Sequence, residues 1–190
     1  MSLTETDRTT LKAVARQSIE YGLEHHRTFG PFEELTLNPG EYSEPLQLLR
    51  ATFVTLQINQ NLRGCIGTLE ARQPLVLDVA HNAHAAAFSD PRFPPVSQRE
   101  FKDLDIHISI LSPAEPLQFN SEADLLAQIR PNIDGLILED RSHRGTFLPS
   151  VWESLSTAKE FLTHLKYKAG LPADYWSDTL RISRYTTESF

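Results

Sequence analysis

The sequence predicts an α+β fold with a mainly antiparallel sheet flanked by helices. One observation is a pair of alternating segments joined by the turn-prone residues Asn59 to Asn61, which is typical of a β-hairpin. A second is the helical spacing of apolar residues in three longer segments. The predicted order is α, ββ, α, β, α, β, α, β. Because this order contains a hairpin, it differs from the regular βαβ series of a parallel sheet.

The amino-terminal half is predicted to hold a helix on either side of the hairpin. Residues 4–23 carry apolar side chains at helical spacing, with threonine and aspartate near the start to cap free amide groups. Residues 24–49 contain several glycines and prolines, so we expect an irregular connection. The hairpin strands are predicted over residues 51–58 and 62–69. An apolar, alanine-rich helix follows over residues 75–88, directly after a proline.

The carboxyl-terminal half is predicted to contain strands and helices in turn. Short alternating segments indicate the strands, and Gly170 stands where a helix end is expected. A turn over residues 140–145 is expected to lead into residues 146–148. The predicted strands are residues 105–111, 135–139 and 180–186, and the predicted helices are residues 121–129 and 157–169.

Composition narrows the class of protein. The chain has 190 residues, 40% of them hydrophobic and 23% charged, and we expect one globular domain over residues 1–190. A formal net charge of -7 argues against a nucleic-acid partner, because phosphate binding depends on clustered lysine and arginine. The sequence lacks an apolar run of about 20 residues and the residue order of a signal peptide. We therefore expect a cytoplasmic protein without a membrane segment.

The single cysteine, Cys65, lies in the segment NLRGCIG and cannot form an internal disulfide. Arg63 precedes it by two positions on a predicted strand, so both side chains are expected on one face. A nearby cation favours the thiolate, which is the nucleophilic form of cysteine. This spacing predicts an enzyme site in which Cys65 and Arg63 are catalytic. Gly64 and Gly67 are predicted to bind substrate, because glycine allows a ligand to approach the backbone closely.

The same segment also has a structural interpretation. Cys65 can be a small buried hydrophobic residue, with the two glycines needed for packing. Arg63 is then paired with an acidic residue for structure alone. The sequence leaves both interpretations open.

Asp90 and Arg92, in the segment SDPRFPP, are further substrate-binding candidates. A guanidinium can bind a carboxylate or phosphate in two-pronged fashion, and an aspartate can orient it. The alternative is a structural turn in which Asp90 caps the chain and Arg92 bonds backbone carbonyls.

The histidines are scattered, and no metal site is predicted. His81 and His84 lie three residues apart near Asp78, but further ligands cannot be assigned, so a solvated helix face is the favoured interpretation. A cysteine nucleophile requires a general base, and the sequence does not choose one. The candidates are His25, His26, His107, His143 and His164.

Six peptides together resemble one family. They are LRGCIGT, AAAFSDPRFPP, ISILSP, DGLILE, GTFLPSVW and KAGLPADYW, and they occur in the family's order over about residues 8 to 188. On these peptides the chain is identified as a member of the AMME syndrome candidate protein family, also called AmmeMemoRadiSam system protein A. Ser150 departs from the family pattern, since many members carry glutamine there, and His81 and His84 are not part of that pattern.

The resemblance implies one α+β domain with a large and a small lobe, and it implies neither an established reaction nor a known cofactor. It suggests a Memo-like protein, similar to non-haem iron dioxygenases, and a radical SAM protein as partners. Two functions are therefore expected. One is a cysteine-dependent enzyme that acts on a small molecule by group transfer or hydrolysis. The other is a non-catalytic binding or accessory protein that acts with those partners.

Overall fold

The computed structural model describes residues 3–25 and 37–190, which divide into two compact units. The first unit is Met1–Ile110 with Glu188–Phe190, and the second is Leu111–Thr187. The described residues form six α-helices and two four-stranded sheets. The helices are α1 (Glu5–Glu24), α2 (Glu44–Gln47), α3 (Leu75–Phe88), α4 (Gln98–Phe101), α5 (Glu122–Gln128) and α6 (Ala158–Lys168). The strands are β1 (Thr52–Ile58), β2 (Asn61–Gly67), β3 (Asp105–Leu111), β4 (Glu115–Pro116), β5 (Gly135–Asp140), β6 (His143–Phe147), β7 (Arg181–Tyr185) and β8 (Thr187–Ser189).

The first unit packs α1 and α3 against a sheet of strand order β2-β1-β3-β8. Helix α1 begins with a capping box, in which Thr4 and Asp7 exchange hydrogen bonds between side chain and backbone. Strands β1 and β2 form the predicted hairpin, and β3 pairs with β1 in antiparallel register. Asn59 and Gln60 make the tight turn, with φ values of 51° and 65° that suit a two-residue hairpin loop.

The two faces of this first sheet differ in character because successive strand residues point to opposite sides. One face is buried against the helices and is apolar; its members include Val54, Leu56, Ile106 and Ile108. The opposite face, which we call the polar face, is half-buried for the most part. It carries Phe53, Thr55, Gln57, Arg63, Cys65, Gly67, His107 and Ser109.

A buried polar network fixes the start of β1 to α3. The carboxylate of Asp78 accepts hydrogen bonds from the amide and the hydroxyl of Thr52, at 2.8 and 2.7 Å. The side-chain amide of Asn82 donates to the same carboxylate at 2.9 Å. Each group is buried and partnered, so the network stabilises the position of the hairpin on the helix.

The second unit packs α5 and α6 against a sheet of strand order β4-β7-β5-β6. Its core includes a stacked pair, Trp152 and Phe161, whose ring centroids are 3.9 Å apart. Tyr185 covers Gly135, where a Cβ atom would lie 2.5 Å from the tyrosine ring. The tyrosine hydroxyl donates to the carbonyl oxygen of Phe147 at 3.0 Å, and burial raises the pKa of Tyr185 to about 12.

The structure confirms the predicted fold class and refines its elements. The strands form two sheets, and the sequence pattern missed β6 and the short elements α2, α4, β4 and β8. The predicted turn over residues 140–145 was too long, because β6 begins at His143. Arg141 adopts a φ of 53°, which closes a two-residue turn there. Part of the predicted irregular connection, residues 26–36, lies outside the described residues, and its remainder contains α2 and a 3₁₀ turn at Pro39–Glu41.

None of the helices in residues 3–25 and 37–190 is both long enough and apolar enough to cross a bilayer.

Candidate functional site

Cys65 occupies the polar face of β2, and its neighbour Gly64 fixes the strand against α3. A Cβ atom at Gly64 would lie 2.2 Å from the backbone carbonyl oxygen of Ala86, which no side chain tolerates. Only glycine therefore lets β2 approach the helix backbone this closely. The next residue, Cys65, points to the opposite side and is half-buried.

The side chain of Thr55 donates a hydrogen bond to the thiol of Cys65. The two residues are direct partners in the β1–β2 register, and the hydroxyl Oγ1 of Thr55 lies 3.2 Å from Sγ. The contact ties the thiol to the neighbouring strand and fixes the position of the sulfur on the polar face.

The backbone of Cys65 is held by a pair of residues that we call the Asp90 clamp, Asp90 and Arg92. Asp90 Oδ2 accepts the amide N–H of Cys65 at 2.9 Å, and Arg92 Nη2 donates to the carbonyl oxygen of Cys65 at 3.2 Å. Within the clamp, Arg92 also donates three hydrogen bonds to the carboxylate of Asp90. The backbone N and Nε of Arg92 donate to Asp90 Oδ1 at 3.0 Å each, and Nη2 donates to Oδ2 at 2.7 Å.

The clamp is buried at the carboxylate and open at the guanidinium. The Asp90 side chain is 2% exposed, whereas that of Arg92 is 54% exposed. The side chain of Arg92 is the main cause that lowers the pKa of Asp90 well below its usual range, although burial opposes it. The pKa of Arg92 is raised, first by its bond to Asp90 and to a smaller extent by the charge of ionised Cys65. Arg92 is therefore bonded to the backbone of Cys65, and its charge is matched by Asp90.

Arg63 shares the face of Cys65, but its charge is matched by Glu100 on α4. Arg63 Nε and Nη2 donate to the two carboxylate oxygens of Glu100 at 2.7 and 3.3 Å. This pairing, before any other cause, lowers the pKa of Glu100 to about 2. Glu100 also accepts hydrogen bonds from Ser97 and completes the capping box of α4. Arg63 is thus fixed to the first turn of this helix.

Phe93 connects the two arginines. Its ring lies 5.9 Å from the Cζ atom of Arg63 and 5.5 Å from that of Arg92. Both distances are within the range of cation–π attraction. The aromatic ring therefore helps to keep two guanidinium groups close together beside β2.

Gly67 faces a filled space. A Cβ atom there would lie 2.3 Å from the ring of Phe53 and 2.4 Å from the carbonyl oxygen of Thr52. Its predicted contact with substrate stays a prediction, and the geometry by itself gives Gly67 a packing role.

One candidate base shares the polar face. His107 on β3 is the direct partner of Thr55, and Thr55 is in turn the partner of Cys65. His107 Nε2 lies 3.0 Å from Oδ2 of Asp105. The sequence did not single out Thr55 or Asp105, because alternation shows which side a residue faces but not which strand lies next to it.

The other predicted bases lie elsewhere. His25 follows the end of α1, His143 Nδ1 lies 2.9 Å from the carbonyl oxygen of Ala169, and His164 is exposed on α6. His26 lies outside the described residues.

The expected solvated face around His81 and His84 was wrong. Asp78 and His84 are each 1% exposed, because α3 packs on both α1 and the first sheet. Burial is the main cause that lowers the pKa of both histidines. No group of three His, Cys, Asp or Glu residues within residues 3–25 and 37–190 is arranged to hold a metal ion.

A cavity of about 570 Å³ lies in the second unit. Its lining includes an edge-to-face aromatic pair, Phe119 and Trp176, with centroids 5.5 Å apart. No predicted site residue lines it.

Comparison with known proteins identifies the family. The AMMECR1 family model matches residues 12–190. A protein of Methanothermobacter thermautotrophicus is 40% identical over 187 residues, covering 95% of this chain and 92% of that protein. A protein of Thermotoga maritima is 42% identical over 159 residues, with 81% and 86% covered. The crystal structure of the uncharacterized protein PH0010 from Pyrococcus horikoshii has a TM-score of 0.83 at 32% identity, covering 95% of this chain and 88% of that one. The resemblance seen in the sequence is confirmed, and the chain belongs to the AMMECR1 family.

Proposed function

We propose that this AMMECR1-family protein is a cysteine-dependent enzyme that catalyses group transfer or hydrolysis on a small molecule. The observation that carries the proposal is the setting of Cys65. Its half-buried thiol lies on the polar face and accepts a hydrogen bond from the Thr55 hydroxyl at 3.2 Å. The backbone N–H and the backbone carbonyl of Cys65 are both bonded to the Asp90 clamp. A packing cysteine needs neither feature, whereas a nucleophile needs a fixed position and a stabilised anion.

The proposed chemistry is a two-step transfer. The Cys65 thiolate attacks an electrophilic carbon of the substrate, such as an acyl carbon, and a bond from sulfur to carbon forms. The leaving group departs with the bonding electron pair and takes up a proton. Water or a second acceptor then attacks the same carbon, and the thiolate is released.

The charged residues have different parts in this proposal. Arg92 supplies the positive charge next to the thiol, and its half-exposed guanidinium suits a carboxylate or phosphate of the substrate. Asp90 orients Arg92 and holds the Cys65 amide. Arg63 supports the strand through Glu100, and Gly64 lets that strand rest on α3.

The test is the rate of iodoacetamide alkylation of the native protein as a function of pH. Because Cys65 is the single cysteine, mass spectrometry of the intact chain reports this thiol alone. We expect alkylation of the folded protein at neutral pH, faster than that of a cysteine in the urea-unfolded chain. Arg92→Gln should slow it, while Arg130→Gln, a matched change in the second unit, should not. A native thiol that resists alkylation until the chain unfolds would overturn the proposal.

The second candidate is a non-catalytic accessory protein that acts with a Memo-like and a radical SAM protein in the cytoplasm. The observation in its favour is that Arg63, Asp90 and Arg92 all form ion pairs within the chain. Residues with a purely structural role are expected to be paired in this way. Co-purification with either partner that survives Cys65→Ser, together with a native thiol that does not react, would favour this function.

A further inference from the structure

We propose that His107, oriented by Asp105, accepts the thiol proton of Cys65 through the hydroxyl of Thr55. The inference rests on the proposed function, and it assigns the proton acceptor that a cysteine nucleophile requires. Sequence alone offered several histidines for this role. The strand register selects one of them.

The three residues form a row across three strands. Thr55 on β1 is the direct partner of Cys65 on β2 and of His107 on β3. Directly opposed residues have Cβ atoms about 4.5–5.5 Å apart, so each neighbouring pair is within side-chain reach. Since adjacent strands are spaced by about 4.8 Å, Cys65 and His107 lie about 10 Å apart. A direct hydrogen bond between them is too long, and Thr55 lies between them.

Asp105 sets the protonation pattern of the imidazole. A carboxylate accepts hydrogen bonds and does not donate, so the short contact of His107 Nε2 with Asp105 Oδ2 at 3.0 Å places the proton on Nε2. Nδ1 then carries the free lone pair. Asp105 is thus a positioning residue that leaves the imidazole ready to accept a proton on Nδ1.

Thr55 has the chemistry of a relay, because a hydroxyl donates one proton and accepts others. In the proposed step, the bond from Cys65 sulfur to hydrogen breaks and that proton moves to Thr55 Oγ1. The proton of Thr55 moves to His107 Nδ1, directly or through one bridging water molecule. The products are a thiolate and an imidazolium, so charge and protons balance. Thr55 then donates to the thiolate, which is the contact seen at 3.2 Å.

The surroundings of the row define what else can influence it. Among the described histidines, His107 alone belongs to a strand of the first sheet. The charged groups beside the row come from β2, β3, α4 and the segment after α3; they are Arg63, Asp105, Glu100, Asp90 and Arg92. Arg63 pairs with Glu100 and Arg92 with Asp90, whereas His107 contacts Asp105.

The experiment measures the second-order rate of iodoacetamide alkylation from about pH 5 to 10, over which an imidazole and a thiol both titrate. The variants are His107→Gln, Thr55→Val, Thr55→Ser and Asp105→Asn. His164→Gln is the matched control, because it removes an exposed histidine from the second unit. Circular dichroism and thermal unfolding check that each variant retains the fold.

We expect His107→Gln and Thr55→Val each to slow alkylation about tenfold at neutral pH and to move the midpoint of the pH profile upward. Thr55→Ser should restore the rate, since it keeps the hydroxyl. Alkylation of the double variant, His107→Gln with Thr55→Val, should be no slower than that of either single variant, because both residues act on one proton path. Asp105→Asn should have a smaller effect of the same sign, and His164→Gln none.

The results that overturn the relay differ from those that overturn the proposed function. If wild-type Cys65 reacts rapidly and His107→Gln follows the same pH profile, the relay is wrong and the nucleophile stands. If Thr55→Val is slow while His107→Gln is normal, Thr55 acts alone and the relay is again wrong. If the wild-type thiol reacts only after unfolding, the nucleophile and the relay both fail.

Discussion

Each unit contains an arginine–aspartate clamp, and the two clamps have similar hydrogen bonds but different further partners. They are the Asp90 clamp and a second pair, Asp134 with Arg130, which we call the Asp134 clamp. In the first unit, Asp90 accepts three hydrogen bonds from Arg92, and in the second, buried Asp134 accepts its bonds from the backbone N, Nε and Nη2 of Arg130. The aspartates are 2% and 0% exposed, and the arginines 54% and 47%. Only the Asp90 clamp also binds a distant strand, through the amide and carbonyl of Cys65.

The difference shows how one chemical device serves two purposes. The Asp134 clamp closes a turn between residues four apart in the chain. The Asp90 clamp closes a turn as well. In addition, the Asp90 carboxylate accepts a hydrogen bond from the backbone of Cys65, the candidate nucleophile, which is 25 residues away. The same substitution in either clamp should therefore lower the free energy of unfolding by a similar amount. Only the substitution in the Asp90 clamp should change the alkylation rate of Cys65.

The largest expected effect comes from moving β2 rather than either clamp. Gly64→Ala places a Cβ atom 2.2 Å from the Ala86 backbone oxygen, so strand and helix must separate. We expect a loss of about 3 kcal/mol or more in the free energy of unfolding. Gly145→Ala on β6 meets atoms at 3.1 Å and should cost about 1 kcal/mol. Urea unfolding of both variants measures the difference. Equal costs would mean that β2 is not anchored at Gly64.

The next effect tests the comparison directly. Asp90→Asn and Asp134→Asn each remove a buried carboxylate that accepts several hydrogen bonds, and each should lower the free energy of unfolding by about 2–3 kcal/mol. Alkylation of Cys65 in the folded protein should change at least severalfold in Asp90→Asn and remain at the wild-type rate in Asp134→Asn. A changed rate in both variants would show that the thiol responds to general loosening.

Removing the cations should have a smaller effect on stability. The side chains of Arg92 and Arg130 are about half exposed. We therefore expect Arg92→Gln to cost about 1 kcal/mol and Arg130→Gln a similarly small amount. Differential scanning calorimetry gives both values. A cost for Arg92→Gln well above that for Arg130→Gln would show that its bond to the Cys65 carbonyl carries much of the clamp's stability.

The smallest expected effect is a change in acid sensitivity. Pairing with Arg63 lowers the pKa of Glu100 from 4.5 to about 2, and pairing with Arg92 lowers that of Asp90 from 3.8. A carboxyl group with a lowered pKa contributes stability above its unfolded pKa. That contribution is lost as pH falls through the folded pKa. The free energy of unfolding should thus decrease from about pH 4.5 toward pH 2.

Glu100→Gln tests the source of that acid sensitivity. Because glutamine does not titrate, the variant should lose stability less steeply over the same pH range than the wild-type protein. Denaturant titrations at several pH values measure the two slopes. Equal slopes would assign the acid sensitivity to Asp90 and to Asp140, whose pKa is lowered to about 2, first by its bond from Ser177.

The fold was largely predictable because the strongest signals are local. The helix over 75–88 and the strand over 105–111 have the predicted bounds, since their periodic patterns and flanking prolines act within a few residues. The short elements α2, α4, β4 and β8 carry too few residues for a periodic pattern. Their formation depends on the partners that they meet in the folded chain.

The site was predictable as a set of residues and not as an arrangement. The two-residue repeat of a strand predicts Arg63 and Cys65 on one face. Their partners could not be predicted, because Glu100 is 37 residues from Arg63 and Asp90 is 25 residues from Cys65. The sequence suggested Arg63 as the counter-ion of Cys65, because the two residues are only two positions apart. In the structure Arg63 instead pairs with the carboxylate of Glu100.

By itself the sequence determined the family, the fold class and the residues of the candidate site, since motifs and alternation are written along the chain. Only the tertiary structure decided that Arg63 pairs with Glu100, that Arg92 bonds the carbonyl oxygen of Cys65, and that Thr55 stands between the thiol and His107. The physical reason is that strand register and charge pairing are set by which segments meet in space. The sequence pattern of a single strand does not specify its neighbour.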